Sequence, residues 1–328
     1  MLTLAVRSPS PPGAARRSSR AITVCATLAL ATALPWLLPA VAPEDPPAPA
    51  AARTAAPLAE PAFSGREILV AGYAGLPWYY RSDVRLEQPN GTKLLLKRLG
   101  WDGDAFYFPI DGGIRSVEWR GNTGLMIDFL HNKAIARLGR GSHGRKLTNP
   151  VVEDVETEGT IAGKPAPSPL KLTELFERFE FTHGHNMLFL TPLLRLPSLA
   201  PGLTPYVGIG GGFALPHVEV WSPNTGREHR TNEYQLAGPA MQLVAGLDLR
   251  LGRWSYFVEY KFSYAWIAGA LTGDHSWMNF NMPGDLWRQF GRWWRGEPPK
   301  YGRFSTRLGA HQVVIGGGYW LRKAAPRP

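Results

Sequence analysis

Two histidines stand two positions apart in "FTHGHN", Phe181–Asn186. Residues with this spacing on one strand face lie about 6–7 Å apart. His183 and His185 would then form a metal-ligand pair, completed by a group from a neighbouring strand. His131, His217 and Glu219 are the candidates for that third place. Nitrogen and oxygen donors of this kind suit a transition metal. These five residues are the candidate catalytic set. The only cysteine, Cys25, lies in an N-terminal apolar run. If that run is removed, thiolate ligation and disulfides are excluded.

The elements that must position these residues alternate with period two from Gly65 onward. In "WSYFVEYKFSYAW", Trp254–Trp266, one face carries Trp254, Tyr256, Val258, Tyr260, Phe262, Tyr264 and Trp266. The other carries Ser255, Phe257, Glu259, Lys261, Ser263 and Ala265. An apolar face bounded by aromatics suits a lipid-facing strand. Similar segments are predicted at 66–81, 112–119, 125–136, 181–196, 204–220, 233–251 and 305–321. Short connections (120–124, 197–203, 252–253) alternate with long ones (82–111, 137–180, 221–232, 267–304). The predicted fold is all-β: an eight-stranded antiparallel up-and-down transmembrane β-barrel, with short periplasmic turns and long external loops. Asn90-Gly91 predicts a hairpin that extends the sheet beyond the membrane. The last loop is rich in Trp and Arg. Two readings of it stand: an interface with anionic headgroups, or aromatics packed over the barrel mouth.

Composition agrees with this class. The 328 residues include 36 Gly and 12 Trp, and the net charge is +10. A basic chain suits an anionic partner, but no nucleic-acid-binding motif is present. Arg16, Arg17 and Arg20 precede the apolar run Ala21–Ala42, which reads as an export signal over 1–42 with the cut there or later. Residues 43–64 read as an Ala/Pro-rich disordered linker. The barrel is expected over 65–321 and a short basic tail over 322–328.

"GIGGG", Gly208–Gly212, is no dinucleotide loop, because Phe213 holds the third fingerprint position and strand continues after it. Inward parity gathers Glu67, Asp248, Arg250, Glu259 and Lys261 with Gln242 and Gln312. Paired structural charges are expected there. His131, His183, His185, His217 and Glu219 fall at the external rim of sequential strands. On parity His131, Lys133, His217 and Glu219 face lipid unless a bulge intervenes. His183 shares parity with Arg195, so its direction is ambiguous. Lys133, Arg137 and loop arginines are candidate phosphate-binding groups.

Several segments together resemble a known group. They are "DFLHNKAIARL" (Asp128–Leu138), "FTHGHNMLFLTPLLRLP" (Phe181–Pro197), "TPYVGIGGGFALPHVEV" (Thr204–Val220), "NEYQLAGPAMQLVAGLDLRL" (Asn232–Leu251) and "WSYFVEYKFSY" (Trp254–Tyr264). As an ordered series they resemble the outer-membrane β-barrels that include rhizobial lipid A oxidase. The resemblance implies eight strands, residence in the bacterial outer membrane, and lipid A or lipopolysaccharide as partner. It also implies handling by the outer-membrane assembly machinery. It implies oxidation of the proximal glucosamine of lipid A to 2-aminogluconate by O2, which calls for a cofactor such as a transition metal. It carries over no catalytic residues. "FLHNK" and "GHNM" depart from the group, and Trp320 is followed by "LRKAAPRP" instead of the chain end. The other function is a non-enzymatic barrel for surface binding or lipopolysaccharide and membrane integrity. A diffusion pore is disfavoured, because eight strands leave little lumen.

Overall fold

The computed structural model describes residues 65–223, 225–276 and 281–322. The expected signal (1–42), linker (43–64) and tail residues 323–328 lie outside the described residues. Eight long strands build a ring: β1 (Arg66–Tyr79), β2 (Gly112–Arg120), β3 (Thr123–Ala136), β4 (Arg178–Arg195), β5 (Leu203–Ala214), β6 (Gly238–Leu251), β7 (Trp254–Ala270) and β8 (Arg303–Arg322). Each pairs antiparallel with the next. β8 returns onto β1, from Leu69↔Trp320 to Tyr79↔Ala310. Every ring strand therefore has two partners, as lipid requires of backbone polar groups.

Alternation along β7 follows the sequence pattern. Trp254, Tyr256, Val258, Tyr260 and Trp266 are exposed, while Ser255, Phe257, Glu259, Lys261 and Ser263 are buried. Leu125 and Ile127 of β3, Leu188, Leu190 and Leu194 of β4, and Val207, Ile209 and Phe213 of β5 continue the exposed apolar band around the ring. A soluble protein would cover such a band with a second layer. The chain is a transmembrane β-barrel. Among the described residues no helix is long and apolar enough to cross a membrane.

Ion pairs and aromatics fill the lumen. Arg115 Nη1 donates to Glu259 Oε2 at 2.8 Å, and Lys261 bonds Asp128. Tyr73 and Tyr206 hydroxyls donate to Asp128 and Glu259 at 2.8 and 2.7 Å. Near the short-turn end Glu67 joins Arg195 and Arg250, each at 2.7 Å. Parity alone had singled out Glu67, Arg250, Glu259 and Lys261. Gly316 makes room for Phe257: a Cβ there would stand 2.2 Å from the ring.

Beyond the band the wall continues. Ser82–Glu87 pairs with β8, Lys93–Leu99 pairs with Ser82–Glu87, and Thr157–Ile161 pairs with Lys93–Leu96. This is the sheet extension expected from Asn90-Gly91. Phe179, Phe181, Trp101 and Phe304 continue the hydrophobic core beneath it. Three details differ from expectation. The predicted strand 204–220 stops at Ala214, because Pro216 has no N–H for the ladder. His217–Trp221 starts afresh beside β4 and Thr231–Tyr234. The strand predicted from 233 starts its ring pairing at Gly238. The last loop forms a helix, α1 (Met282–Trp294).

Candidate functional site

The break after Ala214 places Glu219 directly opposite Glu180 of β4. The adjoining pair, Phe179 and Val220, belongs to the inner core. Strand alternation therefore turns Glu180 and Glu219 outward. β4 then bulges. Its register passes from Phe181↔Ala134 to His185↔Asn132, so Thr182, His183 and Gly184 stand against one residue of β3. Gly184 holds φ at +127°, a region closed to most side chains. The bulge sends His183 to the outer face while His185 returns to the inner one.

His183 and His185 thus do not form the expected ligand pair. His185 is buried, with Nδ1 3.2 Å from the Tyr79 hydroxyl and its ring against Phe181. His183 Nδ1–H donates instead to Glu219 Oε1 at 2.6 Å. His217 also reaches Glu219 Oε1 through Nδ1, at 3.2 Å. Its ring packs on His183 and Tyr234, with centroids 4.7 and 4.5 Å away. Arg178 Nη1 donates to Glu219 Oε2 at 2.7 Å, and Thr182 Oγ1 donates to Glu219 Oε1 at 3.0 Å.

A third imidazole arrives from the long connection between β3 and β4. The His143 ring is tilted 58° to that of His183 with centroids 4.2 Å apart, and the His143 backbone N–H donates to Glu180 Oε1 at 3.1 Å. One ligand atom from each of His143, His183 and Glu219 lies within 4.8 Å of the others. Ligands about 2.1 Å from an ion stand roughly 3.4 Å apart in a tetrahedral set, so His183 Nδ1 and Glu219 Oε1, at 2.6 Å, would part to admit one. His143 was not among the expected site residues. Its local signal is "GSHG", Gly141–Gly144, where His143 itself adopts φ 56°.

The remaining candidates are placed as follows. His131 shares the outer face, with Nδ1 bonded to Asn186 Oδ1 at 2.8 Å; it is outside the ligand group. Lys133 is fully buried and donates to Asp111 Oδ1 at 2.6 Å. It cannot serve a phosphate, because its charge is already answered inside the wall. Arg137 Nε donates to Asp102 Oδ1 at 3.0 Å and stays partly exposed. The outward parity expected for His217 and Glu219 holds for both, which sit two apart on one unbulged strand. Neither residue meets lipid, since both are fully buried under the loops.

The cluster lies above the lipid-facing part of β4, whose uppermost exposed leucine is Leu188. Burial, then the neighbouring His183, lowers the His143 pKa to about 4, so the ring is neutral. Burial alone would raise the Glu219 carboxyl, but hydrogen bonds from His183 and His217 hold it well below the usual range. Burial and then the Glu219 charge push Glu180 up to about 8. A neutral imidazole and an ionised carboxylate are the forms that bind metal.

A cavity of about 670 Å³ lies elsewhere. Arg85, Tyr264, Trp266, Ser305 and Arg307 line it on the β7–β8 side of the ring.

Gly184→Ala tests the bulge. A side chain at this φ, with its Cβ 2.2 Å from Asn186 Oδ1, should cost about 1–3 kcal/mol. Urea unfolding in lipid vesicles would read this loss. An unchanged midpoint would mean that the bulge does not depend on glycine.

No family model matches the sequence, and no curated protein matches it. Among solved structures, the chain is similar to the outer membrane protein AlkL, determined by solid-state NMR in DMPC bilayers. That likeness has 13% identity over 88% of this chain and 100% of AlkL, with a TM-score of 0.34. Ail, the attachment invasion locus protein of Yersinia pestis in complex with the heparin analogue sucrose octasulfate, is similar at 10% identity. It covers 79% of this chain and 99% of Ail, with a TM-score of 0.28. Likenesses at this level leave the chemistry of the site to this chain's own residues.

Proposed function

We propose that the protein is an outer-membrane enzyme that binds a transition-metal ion at His143, His183 and Glu219. It would use O2 to oxidise the proximal glucosamine of lipid A to 2-aminogluconate. The observation that carries this reading is the convergence of two imidazoles and one carboxylate above the lipid band. Two-histidine, one-carboxylate sets with open positions are the ligand chemistry of non-haem iron oxygenases. The resemblance to barrels that include lipid A oxidase supports the same substrate class.

A bound iron or related ion would supply the activation of O2 that amino-acid side chains lack. The chain's own residues prepare the place. Arg178 anchors one Glu219 oxygen, His217 packs on the His183 ring, and the loop bearing His143 covers the cluster. Such outer contacts orient ligands and tune their basicity. His185 lies three residues beyond Leu188, about 10 Å along the strand, and His183 follows in the bulge. That height suits a headgroup sugar. The reaction balances: the C1–H and hydroxyl hydrogen leave a reducing-end hemiacetal as two electrons and two protons. O2 takes them up as hydrogen peroxide, and water opens the lactone to the acid.

Mass spectrometry of lipid A from aerobically grown cells tests this. Wild type should carry a proximal unit one oxygen heavier than glucosamine. A deletion strain, and one complemented with His183→Ala, should carry unmodified glucosamine. Unmodified glucosamine in wild-type cells that express the protein would overturn the oxidase reading.

One observation favours a second reading. Arg178, Thr182, His183 and His217 already satisfy both oxygens of Glu219. The cluster then acts as glue between loop and wall in a non-enzymatic barrel for surface binding or lipopolysaccharide and membrane integrity. On this reading His183→Ala weakens the fold and leaves lipid A composition unchanged.

A further inference from the structure

α1 is inverted for a helix on a water-exposed surface. Asp285, Arg288, Gln289 and Arg292 share the stripe turned toward the protein. Asp285 accepts the Tyr234 N–H at 3.0 Å. Gln289 accepts the Leu236 N–H at 2.8 Å and donates to the Leu236 carbonyl at 3.1 Å. Arg292 donates to Glu233 at 2.8 Å and to Asp274 at 2.6 Å. The other side carries Trp287, Phe290 and Trp294, exposed by 76, 53 and 82%, with Trp293, 55% exposed, on the flank beside Gln289. A helix on a soluble surface buries its apolar stripe and wets its polar one. Here the polar stripe is consumed by protein contacts and the aromatic one is left open.

The depth of the helix indicates what covers it. Gln289 clamps Leu236, three residues before Pro239, which pairs with the lipid-facing Phe213 of β5. Three residues span about 10 Å. A strand tilt of 35–45° reduces this to a height of about 7–8 Å. The headgroup layer is about 5–8 Å deep on each side.

We propose that α1 lies flat in the headgroup–acyl boundary of the bilayer, with Trp287, Phe290 and Trp294 seated in lipid. Aromatic rings favour this zone, and helices of this pattern lie in the interface plane. The inference rests on the barrel standing in a bilayer and not on the metal centre. It also gives the roof of the histidine cluster a footing in lipid, because Asp285 contacts Ser276, whose Oγ is 3.4 Å from His217 Nε2.

Nitroxide labels on Trp287→Cys and, separately, Trp294→Cys test the placement in proteoliposomes. Lys164→Cys on an exposed strand serves as control. Both helix positions are exposed, so either variant can stand in if the other misfolds. The two helix labels should relax more with oxygen than with a water-soluble nickel chelate, and the control should do the reverse. Chelate preference at all three positions would place the helix in water and overturn the proposal. Labels shielded from both reagents, with dipolar broadening between molecules, would assign the surface to a second copy instead.

Discussion

Lys261→Met should cost the barrel about 3–5 kcal/mol, the usual penalty for removing one member of a buried charge pair. Lys261 is fully buried and bonds Asp128, which is also fully buried. Its Nζ lies 3.8 Å from Glu259 as well. Without the ammonium, Asp128 keeps only the Tyr73 hydroxyl among these partners, while Glu259 keeps Arg115 and Tyr206. The burden therefore falls on Asp128, and adding Asp128→Leu should recover much of the loss. Urea unfolding in lipid vesicles would measure both variants. A single variant within about 1 kcal/mol of wild type would show that the ion pair contributes little to the fold.

The second large effect separates two histidines that the sequence sets side by side. His183→Ala should weaken metal binding by about a hundredfold or more, since removing a ligand should exceed the 10–100-fold effect of an outer contact. His185→Ala should leave metal affinity within about threefold of wild type, well below that outer-contact range, because its ring faces the core beside Tyr79 and Phe181. Competition titrations with a chromogenic chelator would give both affinities. Equal losses in the two variants would contradict the bulge geometry.

That contrast marks where the sequence was legible. Period-two alternation carries far when one face meets lipid and the other a polar lumen, so Trp254–Trp266 could be read residue by residue. The outward parity of Glu219 was also legible. The alternation says nothing of a two-residue bulge, and Gly184 was its one local trace. Pro216 marked the end of β5, but the restart at His217 depends on partners far along the chain. His143 reaches the cluster by loop closure over about forty residues, which no local pattern encodes. Lys133 looked free for a phosphate because its partner, Asp111, is also remote in sequence. α1 was hidden because Pro283, Gly284 and Gly291 interrupt a stretch whose helical spacing of Trp287, Phe290 and Trp294 runs opposite to the usual inward apolar stripe.

The central claim is that His143, His183 and Glu219 hold one metal ion on the outer face of β4. Anomalous diffraction from crystals of the full barrel, grown with iron or manganese and measured at the metal edge, tests it most directly. The account predicts one strong peak about 2.0–2.2 Å from a nitrogen of each histidine and a Glu219 oxygen, the usual range for such donors. No peak there in crystals exposed to the metal, or a peak bound by other residues, would contradict it.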